Sequence, residues 1–351
     1  MYNANKLLSS LVQLGSWLRE DAVSNHDVLQ MAEAQNAWFT RENVGMALRA
    51  HGQALTEAGV EAWTSGKTFP GQSSGKRLGL ILAGNLPLVG LSDIVAGVVA
   101  GHEVHVKLSS DDAVLPRWVV SRWADLNEYV STAVTFHDGM VKGMDAIVAT
   151  GSRNTSRYFK AYFGHLPHVF RGQRTSVAVL DGLESPESLQ ALGNDIFAHF
   201  GMGCRSVTKL YLPEDFDLNR CFAQWMSWGH LGNHAKYANN YDYHKAVWLL
   251  NDENLVENGF LLVKEDEALV SPIGTLFIER YREASSVVNR LAEVKDQIQV
   301  VTLRPHSELM RSLHDAGLRT AEMGENQCPT LTDHADGVDT LAFLLGLDGS
   351  H

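Results

Sequence analysis

The chain has 351 residues, 45% hydrophobic and 20% charged, which is ordinary composition for a globular protein long enough to build two domains with cores of their own. Its net charge of −12 argues against nucleic acid or an anionic membrane as principal partner. Three cysteines, Cys204, Cys221 and Cys328, are too few for a disulfide framework and fit a reducing, cytoplasmic setting; no apolar run reaches membrane-spanning length, and the N-terminus lacks the charged-then-apolar pattern of a secretory signal.

Residues 5–62 carry helical spacing. Leu7, Leu8, Leu11, Leu14 and Leu18 form one apolar stripe, a second helix starts near Ser24, and Thr40 caps a third that runs toward Trp63. These segments show no chemistry of their own, so packing and assembly are their expected roles. The stretch from Thr64 to Gly75, rich in Ser, Gly and Pro, is a loop. Within it Gly71-Gln-Ser-Ser-Gly-Lys-Arg77 looks like a phosphate loop, but it is one residue short between its glycines and has Arg77 where magnesium needs a hydroxyl.

From Leu78 the pattern turns to alternating strands and helices. Strand Leu78–Ala83, helix Val89–Ala100 and strand Val104–Leu108 make a βαβ unit, followed by helix 112–125, strands 132–137 and 145–149, and helix 153–162. An open parallel sheet with covering helices is expected. Its first turn reads Ala-Gly-Asn-Leu-Pro, without the G-x-G-x-x-G of an ordinary dinucleotide site. A second unit starts near Thr175 with strand Ser176–Leu180, helix Pro186–Phe200 and strand Val207–Leu212. Further helices and strands run to about residue 322, and a tail from Cys328 to Leu347 ends in an apolar helix.

Cys204 lies where the second unit's helix gives way to its strand. Gly201 and Gly203 remove bulk around the sulfur, and Arg205 and Lys209 supply a positive field that would favour thiolate. The residues alone leave two roles open, a reactive nucleophile or a small packing residue. Between Gly151 and Leu210 seven basic residues face four acidic ones, a local excess that suits a small polyanion such as a nucleotide or coenzyme A, or else a solvated face. His230 and His234, spaced i and i+4 as on one helical face, lack the intervening glutamate of a zinc protease, so no metal is expected. Trp225, Trp228, Tyr237, Tyr241, Tyr243 and Trp248 read as core or interface, with a groove for an acyl or aryl group as the alternative.

Five motifs occur together in order: Leu82-Ala-Gly-Asn-Leu-Pro-Leu88, Ala100-Gly-His-Glu-Val-His-Val-Lys-Leu-Ser-Ser110, Ala149-Thr-Gly-Ser152, Phe170-Arg-Gly-Gln-Arg174 and Gly201-Met-Gly-Cys204. Their order and spacing resemble the aldehyde dehydrogenase superfamily. From about Leu78 the chain is similar more narrowly to the LuxC-type acyl-CoA reductases, to whose branch Phe200-Gly-Met-Gly-Cys-Arg-Ser-Val and Ala335-Asp-Gly-Val-Asp-Thr-Leu341 are specific.

The resemblance implies an aldehyde-dehydrogenase-like α/β fold. A helical N-terminal region plus a Rossmann-like cofactor domain would occupy residues 1–171, a catalytic domain 172–322, and a tail packing back on the body 323–351. It implies that Cys204 is the nucleophile forming an acyl-enzyme thioester and Asn85 the oxyanion residue, with the site between the two domains. Thr150, Gly151 and Ser152 would form the diphosphate turn at a helix N-terminus, with Arg153 and Arg157 close by, and Lys107 would reach the adenosine ribose. Ser110 stands where NAD-selective members tend to carry glutamate, so NADPH is the expected cofactor. Phe170 replaces the glutamate that activates deacylating water in hydrolytic members, Met202 replaces a glutamine, and the glutamate that touches the nicotinamide ribose is expected within Glu265–Gly274. The implied reaction reduces a fatty or aryl acyl-CoA, or an acyl-carrier thioester, to the aldehyde. A homo-oligomer is expected, with an acyl-transferring enzyme as a further partner. Two rivals are a cofactor-independent cysteine acyltransferase, for which His199 is the only nearby base, and a non-catalytic acyl- or nucleotide-binding subunit.

Overall fold

Each of the first four helices starts where a short polar side chain can accept a backbone N–H, the preference that places Asn and Thr at helix N-caps. In the computed structural model, which describes residues 1–151 and 153–347, Asn3 caps α1 (Ala4–Glu20), Asn25 α2 (His26–Gln35), Thr40 α3 (Arg41–Ala54) and Thr56 α4 (Glu57–Thr64). The third helix therefore stops short of Trp63. Thr56 accepts from Gly59 N–H and restarts the chain as a separate helix.

The first sheet holds β1 (Arg77–Ile81), β2 (Glu103–Lys107), β3 (Val134–His137), β4 (Ala146–Thr150) and β5 (His168–Arg171). Its order is β3-β2-β1-β4-β5, with every neighbour pair parallel. Helix α5 (Leu91–Val99) links β1 to β2, α6 (Val114–Leu126) and α7 (Glu128–Ala133) lead into β3, and α8 (Arg153–Phe163) links β4 to β5. Because the chain goes outward from β1 to β3 and then returns to β4 on the other side of β1, the strand order reverses between β1 and β4. Loops leaving the carboxyl ends of adjacent strands diverge at such a point and leave a crevice for ligand.

The second sheet is built from β6 (Thr175–Val179), β7 (Val207–Pro213), β8 (Leu255–Glu257), β9 (Leu262–Glu265), β10 (Thr275–Tyr281), β11 (Ile298–Leu303) and β12 (Thr320–Glu322). Its order is β12-β11-β6-β7-β10-β9-β8, parallel except for the antiparallel edge strand β8. Helices α9 (Pro186–Phe197), α10 (Asn219–Trp225), α11 (Ala235–Leu250), α12 (Ala284–Glu293) and α13 (Leu309–Asp315) accompany it. Finally α14 (Thr340–Gly346) packs on α5, where His102 Nε2 meets Leu344 O at 3.0 Å.

The chain forms two compact units, one of residues 1–173 with 328–351 and one of 174–327. The crossings at 173/174 and 327/328 lie two and five residues beyond the boundaries expected from sequence. Among the described residues, no helix is long and apolar enough to cross a membrane.

Candidate active site

In the first unit the described residues expected to hold the nucleotide, Lys107, Ser110, Thr150 and Gly151, lie at or just after the carboxyl ends of neighbouring strands. In register, Ile81 pairs with Lys107 and with Ala149, and Thr150 pairs with Arg171. Thus the Asn85 turn after β1, the Lys107–Ser110 segment after β2 and the Thr150–Gly151 turn after β4 share one edge of the sheet. Ser152 lies outside the described residues.

The Asn85 turn is fixed by its surroundings. A Cβ on Gly84 would meet Ser109 Cβ at 2.6 Å, so only glycine allows the two turns to approach this closely. Leu82 N–H donates to Lys107 O at 3.0 Å, and Leu88, at φ 59°, donates its N–H to Asp112 Oδ2 at 2.7 Å. Burial pushes the Asp112 carboxyl up to about 7, and burial holds the His51 imidazole, which contacts the Leu88 backbone, down at about 4. Asn85 itself is exposed at the tip. Gln35 Nε2, at the end of α2, donates to Ser110 O at 2.7 Å and leaves that serine exposed. Lys107 Nζ donates to Leu108 O at 3.1 Å. Gly151 enters α8 so tightly that a Cβ would meet Thr155 Cβ and Phe159 Cε2 at 3.0 Å.

In the second unit Cys204 is exposed at the tip of a turn between α9 and β7. Helix α9 ends at Phe197, three residues before the expected Phe200, because His199 (φ 52°), Phe200 (φ 57°) and Gly201 (φ 74°) are left-handed in succession. Left-handed backbone costs a residue with a Cβ roughly 1–2 kcal/mol, so the neighbours must hold it in place. The residues that follow the left-handed run are tied to other elements. Ser176 Oγ of β6 donates to Cys204 O at 3.0 Å, and Asn326 Nδ2 donates to Arg205 O at 3.0 Å and to Thr302 Oγ1 at 2.8 Å. Asn326 is itself anchored by α9, whose fully buried Asp195 accepts Gly324 N–H at 2.6 Å and Asn326 N–H at 3.1 Å. Burial raises the Asp195 carboxyl to about 7 against the opposing pull of those two N–H donors.

Several expectations fail for physical reasons. Lys209 supplies no open field toward the thiol, since it is fully buried and its ammonium is bound by Glu279 at 2.6 Å and Asp266 O at 2.9 Å. Arg171 likewise gives its charge to buried Asp93 at 2.5 and 2.8 Å, with Thr340 Oγ1 at 2.7 Å. His230 and His234 do not share an α-helical face: His230 Nδ1 lies 2.9 Å from Ser227 O, while His234 caps α11 by accepting Tyr237 N–H. Among the described residues no group of three His, Cys, Asp or Glu could hold a metal ion.

His199, the base required by an acyltransferase, is buried within the left-handed turn rather than carried on the helix. Phe170 packs at 6.0 Å from the Phe159 ring and stacks on His168 at 4.0 Å. Trp225, Tyr237, Tyr241 and Trp248 are buried, as core residues would be, while Tyr243 is exposed. Tyr237 also lines a small cleft beside the turn with Phe197, Phe200, Leu261 and Ile273. Within 265–274, Glu265 pairs with Arg280 at 3.2 Å and Glu267 is exposed.

Ser176, Asp195 and Asn326 carried no usable sequence signal, because each meets Cys204's turn only through long-range folding.

The fold is that of solved aldehyde dehydrogenases. Aldehyde dehydrogenase 21 from Physcomitrella patens superposes with a TM-score of 0.69 at 12% identity, covering 98% of this chain and 84% of that one. The Mycobacterium tuberculosis aldehyde dehydrogenase complexed with NAD+ gives 0.64 at 12% identity, over 92% and 77% of the two chains. By sequence the chain is similar to the long-chain acyl-protein thioester reductase of Aliivibrio fischeri, 23% identical over 306 residues, 76% of this chain and 62% of the relative. Its Vibrio harveyi counterpart is 25% identical over 150 residues, 38% of this chain and 31% of the relative, so the chain spans less than two thirds of either. A match to the acyl-CoA reductase (LuxC) family runs over residues 71–346, from before β1 into α14, and the chain belongs to that family.

Proposed function

We propose that the protein reduces a fatty or aryl acyl thioester, borne by coenzyme A or a carrier, to the aldehyde through an acyl-enzyme on Cys204. The observation that carries this reading is an exposed thiol on a turn whose own carbonyl and the next, Cys204 O and Arg205 O, are tied down by Ser176 and Asn326. A nucleophile held in one place gains rate by not having to be ordered during reaction.

The carboxyl edge of the first sheet fits a nucleotide. Gly84 keeps its turns close, Gly151 lets the chain enter α8 tightly at its N-terminus, and Lys107 supplies a cation. Thr150 and Gly151 would hold the diphosphate, Lys107 and Ser110 the ribose. Ser110 offers a hydroxyl in place of a repelling carboxylate, which favours NADPH, although Asp111 beside it carries charge. The bound nicotinamide would supply the hydride.

Cys204 as thiolate attacks the thioester carbonyl carbon. The bond from that carbon to the donor's sulfur breaks, and the donor leaves as a thiolate that takes its proton from solvent. The Asn85 amide and the Cys204 backbone N–H would donate to the carbonyl oxygen as it becomes negative. After hydride addition the Cys204 sulfur leaves the carbon, and aldehyde is released. Phe170 brings no base for water, so little free acid is expected.

Incubating the protein with acyl-CoA and NADPH and following nicotinamide absorbance tests the assignment. Aldehyde should form with one NADPH consumed per thioester, Cys204→Ala should abolish it, and Ser110→Glu should turn the preference toward NADH. Undiminished turnover in Cys204→Ala would end the mechanism.

A further inference from the structure

Two histidines stand beside Lys107 on the same face of the first sheet. Val104 and Val106 are buried, so strand alternation places His105 and Lys107 on the opposite face. In the parallel register His105 pairs with Thr135 and Lys107 with His137, so His137 is the cross-strand neighbour of Lys107 at the carboxyl edge. The imidazoles are bonded diagonally, His105 Nδ1 to His137 Nε2 at 2.9 Å, with ring centroids 5.1 Å apart.

We propose that His137, held by His105 beside Lys107, reads the phosphomonoester on the ribose of an adenosine nucleotide bound at this edge. That group is the 2′-phosphate of NADPH or the 3′-phosphate of coenzyme A. The inference rests on the nucleotide placement proposed above.

The proton chemistry follows from the pair. His105 is held below the usual imidazole range, first by burial and then by His137, with Arg77 lowering it further and Glu103 opposing. The bond between the two imidazoles holds the His137 ring in place beside Lys107. Asp138, next along the chain, has its carboxylate 3.5 Å from Arg117, whose guanidinium lies over the Phe136 ring at 4.8 Å. A dianion beside an imidazole favours its charged form, so binding between Lys107 and His137 should draw in a proton. Affinity must then fall as pH rises. The phosphate's own ionisation would act in the opposite direction, because its second pKa of about 6 makes it more anionic at higher pH.

The test is calorimetric titration of the full chain with 2′,5′-ADP, 3′,5′-ADP and 5′-AMP. It is run at about pH 6.5, where an ordinary imidazole is half protonated, and at about pH 8.5, where it is neutral, in two buffers of different ionisation enthalpy. At least one bisphosphate should bind more tightly than 5′-AMP, lose roughly tenfold affinity across this window and take up a fraction of a proton on binding. The isomer that does so identifies the source of the phosphate. His137→Gln keeps a hydrogen-bonding side chain and should flatten the pH dependence; His137→Asn is the second variant if Gln disturbs the edge strand. The inference is overturned if neither bisphosphate outbinds 5′-AMP, or if the variants retain the wild-type pH dependence. No turnover enters these measurements, so a protein that binds as described but reduces no thioester would refute the proposed function and leave His137 its role.

Discussion

Cys221 shows how burial removes a thiol from chemistry: it is fully buried, and burial pushes its thiol up to about 12. Cys204 and Cys328 are exposed. Because the thiolate is the reacting species, iodoacetamide should modify Cys204 and Cys328 in the native protein and spare Cys221 until denaturant is added. Equal labelling of all three under native conditions would contradict this arrangement, and mass spectrometry of peptides decides it. At this scale the sequence shows a cysteine just after two glycines, since that pattern is local. What it cannot show is charge that has already been neutralised. Lys209 lies five residues from Cys204, yet its partner Glu279 is seventy residues away on β10, the strand paired with β7.

The turn between α9 and β7 is the element on which the proposed chemistry depends, and its local pattern is misleading. Phe197, Ala198 and Phe200 continue the apolar rhythm of α9, so the sequence favours more helix than forms. The tertiary partners decide the matter: Asp195 holds the 324–326 loop, and Asn326 holds Arg205 O. Asn326→Ala removes two buried hydrogen bonds and leaves the Arg205 carbonyl seeking another donor, a loss of about 1–3 kcal/mol. Part of that should appear as freedom of the cysteine. The expected result is a kcat lowered about tenfold or more with little change in the KM for NADPH, and a changed pH profile of Cys204 alkylation. A variant with lowered melting temperature but wild-type kcat and alkylation profile would mean that Asn326 serves the fold alone. Strands fare better than turns in such a reading. β1 and β4 were legible from apolar runs, because strands buried on both faces need little polar content, and β2 from the alternation of Val104 and Val106 with polar neighbours.

At the scale of the whole molecule the two units differ in how the chain supplies them. The second is a continuous segment, residues 174–327, whereas the first is closed by residues that arrive only after the second is complete. The sequence announces the final apolar helix but not its bonds. Asp339 caps α14 and binds Lys67 at 2.8 Å, Thr340 accepts from Arg171, Asp336 accepts Gly172 N–H at 3.2 Å, and Leu341 and Leu344 are buried in the first unit's core. Arg171 in turn is the bidentate partner of buried Asp93 on α5. Without the tail, that buried ion pair loses one of its bonds, and apolar surface on α5 is uncovered. Uncovering two leucines costs about 1.5–3 kcal/mol each, a large part of the margin of an ordinary domain. A fragment of residues 1–173 should therefore unfold without cooperativity or aggregate. The same fragment joined to residues 328–351 by a short flexible linker should melt in a single transition, and the fragment 174–327 should fold without help. Circular dichroism melts of the three fragments settle the point. If residues 1–173 alone unfold cooperatively with the midpoint of the linked fragment, the tail does not complete the first unit.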